Sequence, residues 1–293
     1  MDAGTAYQPI QRSTPLPRRG GAMAVLDFGP ADRAVDVVFS HANGFNARTY
    51  RSILGPLAGE MRILAIDLRG HGATTLPTVI EGRDGWAEFR DDLLAFLAVE
   101  TQGPVVLAGH SMGGTSSLLA AAAEPARVKG LALLDPVIIA REMLVGGERV
   151  FESPLVQGAL RRRAIFPSKA AAVEAYTGRG AFGSWGPEQI ADYVEGGFLD
   201  TGDGEVTLAC TPEWEASNYR THNYDPWTAF QETRCPIDIR RAEQGSTCQV
   251  DGHEAELTAG GRIRIEVVRG TSHFLPMERP DVVVDALRRV VGV

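Results

Sequence analysis

Apolar residues in this chain fall into short, unbroken runs. AMAVLDFG (22–29), VDVVFSH (35–41), MRILAIDL (61–68), PVVLAGHS (104–111) and VKGLALLDPV (128–137) are each bounded by glycine, proline or polar turns. Runs of this length predict buried strands. Between them the apolar spacing changes to three and four. Tyr50, Ile53, Leu54 and Leu57 share one face behind Asn46, and Trp86, Phe89, Leu93, Phe96 and Leu97 share one behind Asp84. Both polar residues stand where a helix cap is expected. GGTSSLLAAAAE (113–124) reads as a helix of small residues. Strands apolar on both faces, alternating with helices, predict an α/β protein with a mostly parallel sheet covered on both sides.

The alternation stops after Pro136. From 138 to 230 the sequence predicts helical stretches and loops without a buried strand. The strand pattern returns in CPIDIRRAE (235–243) and RIRIEVVRG (262–270), and a last helix runs from Pro280 to about Val291. The expected organisation is a core of residues 1–137 and 231–293, interrupted by a mainly helical insertion, 138–230. Residues 1–21, rich in proline, glycine and polar side chains, read as a loose lead-in.

Composition removes several classes of partner. The 293 residues carry a formal net charge of -8, which argues against nucleic acid, whose phosphates need a basic face. The N-terminus lacks the apolar segment of a signal peptide, and no run approaches the length of a membrane span. The cysteines, Cys210, Cys235 and Cys248, are odd in number and form no C-x-x-C pair. Reduced thiols in the cytoplasm are expected, with neither a disulfide framework nor a zinc site.

The chemistry starts at Gly109-His110-Ser111-Met112-Gly113, a G-x-S-x-G sequence between a predicted strand and a predicted helix. A strand that turns sharply into a helix raises the middle hydroxyl above the sheet, and the flanking positions must be small. The helix N-terminus below it favours an anion. A serine hydroxyl needs a base. Of six histidines, His110 lies inside the turn and points away from the hydroxyl. His41 and His71 sit in glycine-containing loops, and His222 and His253 in polar stretches. His273 follows the last predicted strand. Loops after parallel strands gather at one sheet edge, so His273 is expected beside Ser111.

Four segments, SHANGF (40–45), DLRGHG (67–72), GHSMGG (109–114) and GTSHFLPMERP (270–280), together with the element order, resemble the α/β-hydrolase-fold serine hydrolases that carry an inserted cap. The resemblance implies an oxyanion hole made by the N–H of Met112 and one from the loop after the 35–41 strand. Alignment with the family's H-G-x loop points to Phe45 as the second donor. The extra residues between His41 and Gly44 leave Gly44 and Asn43 as alternatives. It also implies an acid that orients His273, most often after the strand at 235–243. There this chain reads Ala242-Glu243-Gln244-Gly245, with glycine where aspartate is usual. Asp135, at the end of LALLD, and Glu243 are the substitutes, Asp135 ranking first and Asp251 a remote third. DLRGHG is expected to be structural, with Asp67 and Arg69 bracing a tight loop.

Gly178 to Gly183 matches G-x-G-x-x-G, but a helical stretch precedes it where a dinucleotide site needs a strand. No cofactor and no metal are expected. The insertion holds ten aromatics from Tyr176 to Phe230. They are expected to pack a lid, with some residues of 210–227 lining a pocket. The reading is hydrolysis of a carboxylic ester or related small acyl compound through an acyl-enzyme on Ser111. C–C bond hydrolysis or acyl transfer on the same residues, and a non-catalytic binding protein of this fold, are the alternatives.

Overall fold

The computed structural model describes residues 7–144 and 152–293. An antiparallel pair, β1 (Ile10–Leu16) and β2 (Gly21–Phe28), leads into β3 (Val37–Ser40), the short helix α1 (Arg51–Leu54), β4 (Ile63–Ile66), α2 (Ala87–Glu100), β5 (Val105–His110), α3 (Met112–Ala123) and β6 (Val128–Leu134). The chain then leaves the sheet. The insertion contains α4 (Pro154–Leu160), β7 (Ile165–Phe166), α5 (Lys169–Tyr176), α6 (Pro187–Gly197), β8 (Phe198–Asp200), β9 (Val206–Leu208) and α7 (Pro212–Arg220). The core resumes with α8 (Pro226–Glu232), β10 (Ile237–Ala242), α9 (Glu254–Thr258), β11 (Ile263–Val268), α10 (Leu275–Glu278) and α11 (Pro280–Val291).

The sheet has eight strands in the order β1-β2-β4-β3-β5-β6-β10-β11. β1, β2 and β4 pair antiparallel and every pair from β4 to β11 is parallel. Alternation along the strands supplies two apolar layers. Val38, Leu64 and Leu107 face α2, α3 and α8 through Phe89, Leu93, Phe96, Leu118 and Phe230. Val37, Phe39, Ile63 and Val106 face α1 and α11 through Ile53, Leu54, Val283 and Leu287. The resulting architecture is an α/β-hydrolase fold.

Four expectations change. Residues 10–16 are not a loose lead-in but an edge strand, since IQRSTPL pairs along its whole length with β2. Asp84 caps nothing: Trp86 stands at the N-cap of α2, and Asp84 instead accepts hydrogen bonds from the backbone and side chain of Asn223. The insertion holds a small antiparallel sheet, β7-β9-β8, whose strands of two or three residues are too short to show a period. The boundary expected at 230 falls inside α8, which packs on α3 and places Trp227 and Phe230 in the core. Asn46, by contrast, does cap: its side chain accepts from Thr49 N at 3.1 Å, opening a 3-10 turn that runs into α1.

Where the chain leaves β6 it is fastened to the loop after β10. Thr247 Oγ1 donates to Asp135 O at 3.0 Å, Ile138 N donates to Thr247 O at 3.0 Å, and Gln249 N donates to Ile138 O at 3.0 Å. Among the described residues, no helix is long and apolar enough to cross a membrane.

Candidate active site

Six parallel strands, β4, β3, β5, β6, β10 and β11, deliver six loops to one edge of the sheet. Ser111 stands at the turn from β5 to α3 with φ 54° and ψ −122°, a conformation that side chains rarely adopt. The flanking glycines are obligatory. A Cβ on Gly109 would lie 2.5 Å from Gly113 C, and one on Gly113 would lie 2.2 Å from Ser40 O. The sequence therefore folds into a tight strand-to-helix elbow that holds the hydroxyl outward.

His273, after β11, approaches Ser111 from above. Its Nε2 lies 3.0 Å from Ser111 Oγ and its Nδ1 2.7 Å from Asp135 Oδ2. A carboxylate can only accept, so Nδ1 carries the proton and Nε2 presents its lone pair to the hydroxyl. Asp135, fully buried after β6, has the unusual φ of 42°. Its Oδ1 accepts from Ala242 N at 2.9 Å and Ser246 Oγ at 2.5 Å, and its Oδ2 from Thr247 N at 3.1 Å. Burial pushes this carboxyl upward. The hydrogen bond and charge of His273, with the bonds from Ser246 and Ala242, outweigh burial and hold it below the usual aspartate value.

The structure thus brings Ser111, His273 and Asp135 together. Glu243 is elsewhere: it is exposed, and its Oε2 accepts from Gly270 N at 2.8 Å, bracing the start of the His273 loop. Asp251 pairs with Arg241. Gly245, at the position usual for the acid, has φ 59° with open space around it. The loop after β10 supplies donors to the carboxylate instead of the carboxylate itself. Glu278 also serves the histidine loop, accepting from Ser272 N and Ser272 Oγ at 2.7 Å each.

Phe45 N–H is not free for an oxyanion, because it closes a turn onto Ala42 O at 3.1 Å. Gly44 N–H is also engaged, donating to His71 Nε2 at 3.0 Å. Among the described residues, Asn43 N and Met112 N have no hydrogen-bond partner, and both residues line the cavity above Ser111. His41 and His71 hold this loop in place. His41 Nε2 accepts from Leu68 N at 2.9 Å, and its Nδ1 donates to Ala42 O at 2.7 Å. Burial keeps both rings neutral, lowering His71 to about 4 and His41 well below its ordinary value. Asp67 accepts from Ala47 N at 2.7 Å and Ala73 N at 3.0 Å, and burial raises it to about 6. DLRGHG therefore braces the loop after β3 directly.

His110 faces away from the Ser111 hydroxyl. Its ring lies 2.7 Å from Tyr50 Oη and 2.8 Å from His273 O. The sequence carried no signal for this arrangement, since Tyr50 reads simply as an apolar helix position.

The cavity holds about 490 Å³. Ile138, Ile139, Met143 and Leu155 form an aliphatic wall, facing Trp86 and Phe274. Of the ten aromatics in 176–230, only Tyr219 lines it; His222 joins Tyr219 there. Trp185 and Tyr193 instead pack the insertion onto the core, with Phe45 5.1 Å from Trp185 and 5.8 Å from Tyr193, centroid to centroid, and Phe182 packs behind them. The glycine run 178–183 follows α5 as a turn and a short 3-10 helix, with no strand before it. All three cysteines are buried and free.

A curated relative, 2-(acetamidomethylene)succinate hydrolase of Mesorhizobium japonicum, is 24% identical over 268 residues, covering 87% of each chain. The crystal structure of an E-2-(acetamidomethylene)succinate hydrolase superposes with a TM-score of 0.78 at 20% identity, over 98% of this chain and 100% of that one. An esterase of Mycobacterium tuberculosis superposes with a TM-score of 0.73 at 20% identity, over 99% and 94%. The sequence profile of the alpha/beta hydrolase family matches residues 37–286, which take in the sheet from β3 onward, the elbow, the insertion and the histidine loop. With that match and this fold, the chain belongs to the alpha/beta hydrolase family.

Proposed function

We propose that the protein hydrolyses a carboxylic ester, or a related acyl compound, through an acyl-enzyme on Ser111. The observation that carries this reading is the continuous chain from Ser111 Oγ through both nitrogens of His273 to Asp135, at the floor of an apolar cavity. Ser111 Oγ attacks the acyl carbon while His273 Nε2 takes its proton. Asp135 keeps the imidazole in the reactive tautomer and stabilises the imidazolium. Negative charge on the substrate oxygen is met by the N–H groups of Met112 and Asn43, the former at the positive end of α3. His273 returns the proton to the leaving group, then activates a water that releases the acid. The aliphatic wall favours an acyl or alcohol portion of apolar character.

The relative named as a hydrolase of 2-(acetamidomethylene)succinate aligns over most of the chain, and the compound in its name is not an ester, which supports a second reading, hydrolysis of a bond other than an ester on the same residues. The test is release of p-nitrophenol from acetate, butyrate and octanoate esters by wild type and Ser111→Ala. Turnover by wild type and a loss of about a thousandfold or more in the variant supports the ester reading. An inert wild type that is still labelled at Ser111 by a serine-reactive phosphonate moves the chemistry to the second reading. Absence of both refutes the nucleophile.

A further inference from the structure

We infer that Tyr50 and His110 are positioning residues that tie the base to the oxyanion loop, so that both reach Ser111 in register. The inference rests on the reading of Ser111 and His273 given above. Its ground is that the hydrogen bonds along this path have only one allowed direction. His273 O is a carbonyl and can only accept, so His110 Nε2, 2.8 Å away, carries the proton. His110 Nδ1 is then a lone pair and must accept, so the Tyr50 hydroxyl, 2.7 Å away, donates. Tyr50 Oη in turn accepts from Ala42 N at 3.3 Å. The path therefore runs from the backbone of the loop after β3, through two side chains, to the backbone of His273. One end is the residue before Asn43, whose N–H has no hydrogen-bond partner among the described residues. The other end is the backbone of the base itself.

Both side chains are wholly buried, and both stand on rigid supports. His110 is the last residue of the central strand β5 and precedes Ser111. Tyr50 packs on Phe39 of β3 at 4.7 Å between ring centroids. The path spans three of the loops that build the site, using a strand end as its midpoint. An error of about 1 Å at either end is enough to change a rate a hundredfold. Burial and the neighbouring His273 push the His110 pKa well down, which keeps the ring neutral and its proton assignment fixed near neutral pH.

Tyr50→Phe removes one oxygen and leaves His110 Nδ1 and Ala42 N without their partner. His110→Leu breaks the path in the middle, whereas His110→Gln keeps one donor and one acceptor. Each variant is assayed for kcat and KM on p-nitrophenyl butyrate, for its rate of labelling by a serine-reactive phosphonate, and for melting temperature. Tyr50→Phe and His110→Leu are expected to lose about tenfold to a hundredfold in kcat and labelling rate with KM within about twofold. His110→Gln is expected to recover most of that loss. The double variant Tyr50→Phe/His110→Leu is expected to be no slower than the worse single variant, because both cut one path. A Tyr50→Phe variant with unchanged kcat and labelling overturns the inference, even if its melting temperature falls. Failure of His110→Gln to recover activity lost in His110→Leu overturns it as well. If His110→Leu does not fold, Tyr50→Phe alone decides. Failure of the wild type both to turn over the esters and to label at Ser111 is a different result: it overturns the proposed nucleophile, and the positioning role with it.

Discussion

Replacing Asp135 by asparagine tests the acid with almost no change in shape. The carboxylate accepts from Ala242 N and Ser246 Oγ on one oxygen and from Thr247 N and His273 Nδ1 on the other. An amide has one accepting oxygen and one donating nitrogen, so it can meet only one of these pairs as the carboxylate does. If its nitrogen faces His273, the imidazole must turn its lone pair to it and present N–H to Ser111, the wrong tautomer for a base; losses of about 10⁴ in kcat are typical of that error. If its nitrogen faces Ala242, the tautomer survives but the imidazolium loses its counter-charge, and a loss of about a hundredfold is the floor. Four factors of ten correspond to about 5.4 kcal/mol of transition-state stabilisation. In either orientation one backbone N–H meets another donor in a fully buried site, which costs about 1–3 kcal/mol of stability. The assay is kcat/KM on p-nitrophenyl butyrate with a parallel thermal melt. Retention of more than about a tenth of wild-type kcat/KM refutes Asp135 as the orienting acid.

Other outcomes follow from the same geometry. Glu243→Gln should keep kcat/KM within about threefold, because among the described residues its side chain serves only Gly270 N; a loss matching that of Asp135→Asn would restore it as the acid. Gly113→Ala should fail to accumulate as folded protein, since its Cβ would lie 2.2 Å from a backbone oxygen; soluble expression with a native melt would contradict the elbow geometry. Stability should fall as pH drops below about 6.5, the ordinary histidine value. His41, His71 and His110 have folded values below it, so the unfolded chain binds their protons and stabilisation present above 6.5 drains away on acidification. Asp67, raised to about 6, and the raised Glu88 and Asp192 act in the opposite direction over their own ranges, while carboxyls held low, Asp135 among them, act with the histidines. His71→Gln should flatten the dependence of melting temperature on pH between 7 and 5; an unchanged slope would show that this ring is not the one taking up protons.

The parts of the fold that were legible in the sequence are those where burial is two-sided. β3 to β6 read as continuous apolar runs because helices cover both faces. β1 was illegible because an edge strand needs no apolar run: IQRSTPL carries a proline and polar residues, and its identity as a strand comes from pairing with β2. At the site, the elbow and the histidine loop were legible because local backbone geometry dictates their glycines and their place after a strand. The carboxylate beside His273 was legible only as an order of preference, Asp135 before Glu243, because which of the two meets the imidazole depends on how the loops after β6 and β10 sit against each other. Alignment with the family's loop points to Phe45 as the oxyanion donor, and the turn bond that engages its N–H to Ala42 O leaves no trace in the residue types. Tyr50 and His110 were missed for a related reason, as their roles exist only across three loops that meet in space.

Asp135 directly follows β6, where the chain departs for the insertion, and the bonds of Thr247 to Asp135 O and Ile138 N, with that of Gln249 N to Ile138 O, grip the departing segment just beyond it. Such a grip works as strain relief does on a cable. A pull from the cap is taken up at Ile138, before it reaches the carboxylate. The segment beyond that point can therefore be lengthened, shortened or rewritten without moving the Asp135 carboxylate. A chassis of this kind can change what it accepts while its reactive centre stays as it is, which is a physical route by which one sheet comes to serve many substrates.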